Sequence, residues 1–81
     1  MFYVYILRSK KTKRYYIGHT EDLHRRVEQH NSGEVKSTKA YRPWEIIYTE
    51  EYETKSQAMR REKEIKSYKG GNAFRKLISN K

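Results

Sequence analysis

Residues 2–20 read FYVYILRSKKTKRYYIGHT, two runs of strand-forming residues that flank a polar, basic connection. The first run, residues 2–8, is aromatic or aliphatic at nearly every position, which favours a strand that is central or covered on both faces. The second run, residues 15–20, returns after the connection, so the two runs are expected to form a β-hairpin. In a symmetric register Tyr5 lies directly opposite Tyr16, and both side chains share one face of the sheet.

The next part of the chain predicts a helix, a loop and a third strand. Asp22 is a suitable N-cap for a helix that runs to about Ser32, with Gly33 as its C-terminal stop. A polar, basic loop over residues 34–43 follows. Residues 44–52 are again rich in aromatic and β-branched side chains, and they predict the third strand.

Two more helices complete the predicted fold. Thr54 and Gln57 form a capping-box pattern that opens the second helix, and Gly70-Gly71 is expected to end it. The last helix begins near Asn72 and closes the core with apolar side chains. These are Phe74, Leu77 and Ile78. The order β-β-α-β-α-α predicts an α+β fold (an α/β sandwich), a three-stranded antiparallel sheet flanked by helices, as a single domain over residues 1–81.

The composition limits the classes of protein and of site. A chain of 81 residues has room for one small core, and its 14% aromatic residues argue against disorder. Because there is no cysteine, disulfides and thiolate metal sites are excluded, and a metal would need carboxylate, histidine or water ligands. The apolar run at residues 2–7 is too short for a membrane span or a signal sequence. We therefore expect a cytoplasmic protein without a membrane partner.

The net charge of +9 predicts a polyanionic partner, most simply nucleic acid. The alternative is a solvated basic surface that binds nothing in particular. The residues expected to contact phosphates are Arg8, Lys13, Arg14, Lys36, Lys39, Arg42 and Lys66. Contacts of this kind make binding depend steeply on salt but not on base sequence.

The first helix carries two polar residues near its buried side. At about 100° per residue, Leu23 and Val27 define the buried stripe, His30 lies on it and Arg26 lies at its edge. Arg25 points almost the opposite way and is expected to be an ordinary solvent or phosphate contact. One interpretation is that Arg26 and His30 form a functional patch. The other is that Arg26 only covers apolar surface with its stem and His30 is a satisfied buried histidine.

The second helix carries a carboxylate within its inward arc. The arc is marked by Ala58, Met59, Ile65 and Tyr68. Glu62 lies inside it, whereas Glu64 projects outward and can pair with surface lysines. A carboxylate on that side must hold a cation or accept hydrogen bonds, because burial without a partner is costly. A metal ion and a structural salt bridge to Arg26 are both compatible with the spacing.

Several segments resemble the GIY-YIG nuclease superfamily. Residues 3–5 (YVY) stand where its first motif would be, with a tyrosine in place of the glycine, and residues 16–18 (YIG) match its second. Residues 16–31, YIGHTEDLHRRVEQHN, resemble its strand-to-helix signature, and Ala58 with Glu62 resembles its later carboxylate motif. The resemblance covers nearly the whole chain, and it is strongest for the small, stand-alone bacterial members often described as uncharacterised proteins.

The resemblance implies an endonuclease that cleaves DNA with one Mg²⁺ or Mn²⁺ ion. In such a site Glu62 would coordinate the ion, and Arg26 would stabilise charge on the transition state. Tyr5 would be the general base, and Tyr16 would orient the water or the phosphate. Auxiliary proton carriers or phosphate contacts would be His19 and His30. A base role for Tyr5 near neutral pH requires that its pKa, ordinarily about 10, be depressed.

Three functions therefore follow from the sequence. The first is a metal-dependent nuclease that acts on DNA, including structured or damaged DNA of the repair and recombination type, with RNA open as a second substrate. The second is a non-catalytic nucleic-acid-binding module that keeps the fold. The third is an accessory protein whose basic surface docks an acidic partner. A monomer is the default state.

Overall fold

The computed structural model describes residues 1–79 and has the predicted order of elements. They are β1 (Phe2–Ser9), β2 (Tyr15–Thr20), α1 (Leu23–Ser32), β3 (Trp44–Tyr52), α2 (Lys55–Ser67) and α3 (Asn72–Ser79). A short 3₁₀ turn at Lys39–Tyr41 lies between α1 and β3. The α+β architecture with three antiparallel strands and flanking helices is confirmed. Residues 80–81 of the predicted domain lie outside the described residues.

The sheet has the strand order β2-β1-β3, so the most apolar strand is central, as its sequence predicted. Its two faces support two buried clusters because successive strand residues point to opposite sides. The buried residues on the face covered by α2 and α3 are Val4, Ile6, Ala58, Ile65 and Phe74. Those on the face covered by α1 are Tyr5, Leu7 and Trp44. Leu23 and Val27 of α1 pack against this second cluster, as the helical spacing predicted.

The hairpin register differs from the symmetric one. Tyr5 pairs with Gly18, and Tyr16 pairs with Leu7, so the expectation that the two tyrosines lie directly opposite was wrong by two residues. The reason is that β1 continues to Ser9, whose backbone N–H donates to the Arg14 carbonyl at 2.8 Å and closes the connection. An even shift keeps each side chain on its face. The two tyrosine rings therefore remain neighbours, with centroids 6.3 Å apart.

The helix caps follow the sequence closely. The side chain of Asp22 accepts from the Arg25 N–H at 3.1 Å, and Gly33 ends α1 in the left-handed region at φ 87°. The capping box of Thr54 and Gln57 is present at the start of α2. No helix within residues 1–79 is both long enough and apolar enough to cross a membrane.

Two expectations about α2 were wrong. The helix ends at Ser67 rather than at the glycine pair, because Lys69 and Gly70 both adopt positive φ and reverse the chain. Met59 was expected to face inward, but it is 50% exposed. The contact surface of α2 is centred on the buried Ala58 and Ile65, and Met59 lies about 100° further round than Ala58.

A hydrogen-bonded network joins β3 to α2. Glu50 accepts two bonds from Arg61, at 2.9 and 3.0 Å, and further bonds from the hydroxyls of Tyr48 and Tyr52. Burial alone raises the pKa of Glu50, but the bonds from Arg61 and the two tyrosines outweigh it and lower the pKa overall. Burial and the neighbouring carboxylate raise the pKa of Tyr52 to about 12. Near neutral pH the Glu50 carboxylate is therefore ionised and the hydroxyls of Tyr48 and Tyr52 are protonated.

Replacing Arg61 with alanine is expected to lower the free energy of unfolding by about 2 kcal/mol, because it leaves a partly buried carboxylate without its cation. Arg60→Ala is the matched control, since Arg60 is exposed and should change stability by less than about 0.5 kcal/mol. Urea unfolding of the two variants beside the wild type measures the difference. Equal stabilities for the two variants would show that the network contributes nothing.

Candidate active site

The predicted catalytic residues form two hydrogen-bonded groups, one on each face of β2. The tyrosine cluster, on the α1 face, consists of Tyr5, Tyr16, Arg26 and His30. The carboxylate cluster, on the α2 face, consists of His19, Glu62 and Lys66. Each predicted catalytic residue thus has a partner among the others.

Gly18 makes room for the tyrosine cluster. A Cβ built at this position would lie 2.6 Å from the Tyr5 hydroxyl oxygen, 2.8 Å from its Cζ and 3.2 Å from a Tyr16 ring carbon. No ordinary side chain fits at those distances, so the glycine allows the Tyr5 ring to lie across the β2 backbone. The Tyr5 hydroxyl consequently reaches β2, a strand at the edge of the sheet.

Two partners hold the Tyr5 hydroxyl. It lies 3.2 Å from His30 Nε2, and it accepts a bond from Arg26 Nε at 3.4 Å. Arg26 also donates from Nη1 to Gln29 Oε1 at 3.0 Å. Tyr5 is 1% exposed and Arg26 is only half-buried, so the guanidinium covers the hydroxyl from the solvent side.

The tautomer of His30 follows from its second partner. His30 Nδ1 lies 2.8 Å from Thr38 Oγ1, and the Thr38 hydroxyl donates its proton to the Val35 carbonyl at 3.3 Å. Thr38 Oγ1 must therefore accept from Nδ1–H, which leaves Nε2 as the acceptor for the Tyr5 hydroxyl. Burial, together with the positive charge of Arg26, lowers the pKa of His30 to about 4, so the ring is neutral near pH 7.

This environment keeps Tyr5 protonated. Burial raises its pKa above the ordinary value, and the bond from Arg26 opposes that rise without cancelling it. The negative charge of Glu62 is among the weaker influences that raise it. The depressed pKa that a base role near neutral pH requires is therefore not supplied by the protein alone.

The carboxylate cluster holds an ionised glutamate. Glu62 Oε1 accepts from His19 Nδ1 at 2.5 Å, and Oε2 accepts from Lys66 Nζ at 2.7 Å. Its side chain is 17% exposed. Burial raises the pKa of Glu62, but the hydrogen bonds from Lys66 and His19 lower it further than burial raises it. The expectation of an inward carboxylate with polar partners holds, although the salt bridge to Arg26 that the spacing allowed is replaced by Lys66 and His19.

The arrangement fits one type of metal site and excludes another. Within residues 1–79 there is no group of three or more acidic or histidine side chains that could enclose a metal ion. A single ionised carboxylate suits Mg²⁺ or Mn²⁺ that keeps most of its waters and also takes phosphate oxygens. Such an ion at Glu62 would have to displace His19 or Lys66 from a carboxylate oxygen.

The two clusters are separated by the thickness of one strand. The helical spacing had suggested that Glu62 faces the tyrosine pair. That expectation was wrong, because α1 and α2 cover opposite faces of the sheet and Glu62 lies on the α2 face. Both clusters nevertheless meet at the outer strand, because the Tyr5 hydroxyl lies over Gly18 and His19 is the next residue. Two surface hollows flank this point, and both are lined by Thr20 and Glu21.

The predicted phosphate contacts have different surroundings. Arg8 pairs with Glu45 at 3.0 Å, Arg14 lies 4.6 Å from the centre of the Tyr41 ring, and Lys66 pairs with Glu62. By contrast, Lys36, Lys39 and Arg42 line one cavity. Lys13 is exposed, with φ 66° in the connection between β1 and β2. The contacts of all seven with nucleic acid remain predictions.

Sequence reasoning did not identify two supporting residues, Thr38 and Gln29. Thr38 is 2% exposed and fixes the tautomer of His30, and Gln29 holds the Arg26 guanidinium. A signal for Gln29 existed, since it lies one turn beyond Arg26 on the same helix. The sequence contains no such signal for Thr38, because this residue lies in a polar loop and its packing against α1 cannot be inferred from residue spacing.

His30 predicts a dependence of stability on pH. Because its folded pKa lies below its ordinary value, it contributes stability above about pH 6.5, and that contribution is lost as the pH falls toward 4. The difference in unfolding free energy between the wild type and His30→Gln should shrink by about 2 kcal/mol between pH 7 and pH 5. The control is His24→Gln, since His24 is exposed. A wild-type advantage over His30→Gln that is the same at both pH values would contradict the assignment.

Comparisons with known proteins identify a family and several similar chains. Residues 1–74 match the model of a family described as the GIY-YIG catalytic domain. Two UPF0213 proteins of Staphylococcus aureus, from strain Mu3 and from strain Mu50 (SAV0488), are each 46% identical over 67 residues, which is 82% of this chain and 80% of theirs. The solution NMR structure of the UPF0213 protein BH0048 from Bacillus halodurans is similar, with a TM-score of 0.63 and 36% identity over 100% of this chain and 86% of that one.

Proposed function

The chain belongs to the GIY-YIG catalytic-domain family, a family of nucleases, and from this premise we propose that it is an endonuclease that hydrolyses DNA phosphodiester bonds with one Mg²⁺ or Mn²⁺ ion. We further propose that its substrates include structured or damaged DNA of the repair and recombination type. One observation carries the proposal: the Tyr5 hydroxyl and the ionised Glu62 both contact β2. Arg26 and neutral His30 hold the hydroxyl, and Glu62 bonds His19 of that strand.

Arg26 stabilises negative charge in this proposal. Its guanidinium is half-buried, borders the hollow at the start of α1 and is held by the neutral partners Tyr5 and Gln29. Among residues 1–79 it therefore has no carboxylate partner to release before it binds a phosphate. A planar guanidinium can donate two parallel bonds to phosphate oxygens, and such donors are worth most where charge develops.

Tyr5 and His30 orient the nucleophile. The Tyr5 proton points to His30 Nε2, so the lone pairs of the hydroxyl oxygen face Arg26 and the solvent side. When a phosphate draws Arg26 away, a water can take its place and donate to that oxygen. As the water attacks phosphorus, its proton passes to Tyr5 and the original Tyr5 proton passes to His30. The bond from phosphorus to the leaving sugar oxygen breaks, and that oxygen takes a proton from solvent water. Tyr16 packs on both rings and fixes their positions.

Glu62 is the residue that would hold the metal ion, with His19 and Lys66 as its neighbours. A bound Mg²⁺ or Mn²⁺ would supply positive charge to the phosphate oxygens and to the leaving group. Lys66, once displaced from Glu62, lies one turn along α2 and is half-exposed, which suits a phosphate contact. Removal of the ion with a chelator is therefore expected to stop cleavage.

The second candidate function is a nucleic-acid-binding module without catalysis. The observation that favours it is that both Glu62 oxygens are already bonded to cationic or polar side chains, so the glutamate has a structural role without metal. The net charge of +9 serves binding equally well. This candidate predicts salt-sensitive binding with no cleavage under any metal.

A cleavage screen separates the two functions. The substrates are linear, nicked, branched and single-stranded DNA together with RNA, each incubated with Mg²⁺, with Mn²⁺ or with a chelator. The nuclease proposal expects product from at least one DNA only when metal is present. Tight binding with no product in any metal would favour the binding module, and cleavage that survives the chelator would contradict the metal requirement.

A further inference from the structure

A second basic site lies away from the two clusters. A cavity of about 400 Å³ is lined by Lys11, Lys36, Lys39, Ala40 and Arg42, and we call it the basic cavity. Four of its five lining residues are cations. Among residues 1–79 these four make no ion pair, whereas Arg8, Arg61 and Lys66 do. The basic cavity therefore concentrates positive charge that the protein itself does not neutralise.

Buried hydroxyls fix the backbone on one side of the basic cavity. Ser9 is fully buried, and its Oγ donates to the Tyr41 carbonyl at 2.6 Å while accepting from the backbone N–H groups of Lys11 and Thr12. The Lys10 N–H donates to the Pro43 carbonyl at 2.9 Å. The hairpin connection and the loop before β3 are thus joined as one unit.

The other side of the basic cavity is attached to α1. Thr38, between Lys36 and Lys39, bonds His30 through its hydroxyl, and its carbonyl accepts from Trp44 Nε1 at 3.0 Å. A Cβ at Gly33 would lie 2.5 Å from Arg42 Nη1, so the guanidinium rests against the C-terminus of α1. There the helix dipole favours a cation. The backbone that carries these exposed cations is consequently bonded to β1 and to α1.

The basic cavity lies at the C-terminal end of α1, whereas the hollow beside Arg26 lies at the start of that helix. Ser9 follows Tyr5 by four residues in β1, which is about 13 Å along an extended strand. Gly33 follows Arg26 by seven residues, or about 10 Å along a helix. Both elements therefore lead from the tyrosine cluster toward the same end of the domain, where the basic cavity lies.

We infer that the basic cavity binds backbone phosphates of the DNA on one side only of the bond that is cut. This inference rests on the proposed function. It predicts that substrate length matters asymmetrically: an arm that reaches the basic cavity strengthens binding, and the opposite arm does not. It also predicts backbone contact without base recognition, because the lining offers lysine and arginine to phosphates.

The test compares two double variants that remove equal charge. Lys36→Ala/Lys39→Ala changes the basic cavity, and Lys63→Ala/Lys76→Ala changes exposed lysines of α2 and α3 outside both clusters. Binding of labelled DNA duplexes is measured in a chelator over a range of salt. The cavity variant should bind long duplexes about tenfold more weakly than the wild type, and the slope of log K against log salt concentration should fall in magnitude by about two. The control variant should change neither the affinity nor this slope. Equal effects in the two variants, or no binding by the wild type, would overturn the inference.

Cleavage gives the second readout. Once a cut is mapped, each arm of that substrate is shortened in turn. The wild type should slow only when one particular arm becomes too short to reach the basic cavity, and the cavity variant should be insensitive to that arm. If Glu62→Gln cuts as fast as the wild type, the proposed function fails whatever the arms do. If cleavage needs Glu62 but both arms matter equally, only the inference about the basic cavity fails.

Discussion

Replacement of Glu62 by glutamine is expected to reduce metal-dependent DNA cleavage by about 10³-fold. Glutamine keeps the size of the side chain and can still accept from His19 at Oε1, but it has no charge with which to hold a divalent ion. Loss of the ion removes several kcal/mol of charge stabilisation from the transition state, which corresponds to a rate loss of this order. Single-turnover cleavage at saturating enzyme measures the chemical step without the contribution of binding.

Glu64→Gln is the matched control for Glu62→Gln. Glu64 lies two residues along the same helix and is exposed. Within residues 1–79 its carboxylate bonds only to Arg61 of α2 and to Tyr68, which directly follows the helix. The control should cleave within about twofold of the wild type, since a surface change of this kind leaves the site intact. A loss of similar size in both variants would indicate that charge on α2, rather than a metal position, controls cleavage.

Replacement of Tyr5 by phenylalanine is expected to slow cleavage by about 10²–10⁴-fold, the range for loss of a positioned acid–base group. The ring still fills the space over Gly18, but His30 Nε2 and Arg26 Nε lose their shared partner. Because protonated Tyr5 passes its proton to neutral His30, the wild-type rate should be flat near neutral pH and should fall as the pH approaches the His30 pKa of about 4. The variant should lose that pH dependence as well as the rate.

Tyr15→Phe is the control for Tyr5→Phe. Tyr15 is 44% exposed, and its ring packs edge-on against Phe74, so the ring rather than the hydroxyl provides its contact. It should keep both the rate and the pH profile. If Tyr5→Phe has the wild-type rate at every pH, a different group accepts the proton of the water, and the role of Tyr5 is limited to packing.

The fold was predictable because local signals agreed with one another. Short-range chemistry specifies the ends of each element. The hairpin strands are set by two apolar runs, α1 by the Asp22 cap and the Gly33 stop, and the start of α2 by the capping box at Thr54. The exact hairpin register was not predictable. It depends on how far β1 extends before the chain turns, and Ser9 looks like a loop residue until its burial against Tyr41 is known.

The candidate site was predictable in its residues but not in its arrangement. Helical spacing distinguished Arg26 from Arg25 and Glu62 from Glu64, because it reports which side of each helix is buried. It does not report which face of the sheet each helix covers. That face follows from the tertiary path, and it separates Glu62 from the tyrosine cluster by the thickness of β2. The partner His19 follows from the same path, whereas Lys66 lies one helical turn beyond Glu62, so that its nearness was readable from the spacing.

The most direct test of the central claim is cleavage of one DNA substrate by the wild type and Glu62→Gln, in Mg²⁺ or Mn²⁺ and in a chelator, with binding measured in parallel. Both proteins are expected to bind the DNA with similar affinity in the chelator. Only the wild type should cut it, and only with metal present. Equal cutting by Glu62→Gln, or binding without cutting by the wild type on every substrate, would contradict the claim that these two clusters form a nuclease site.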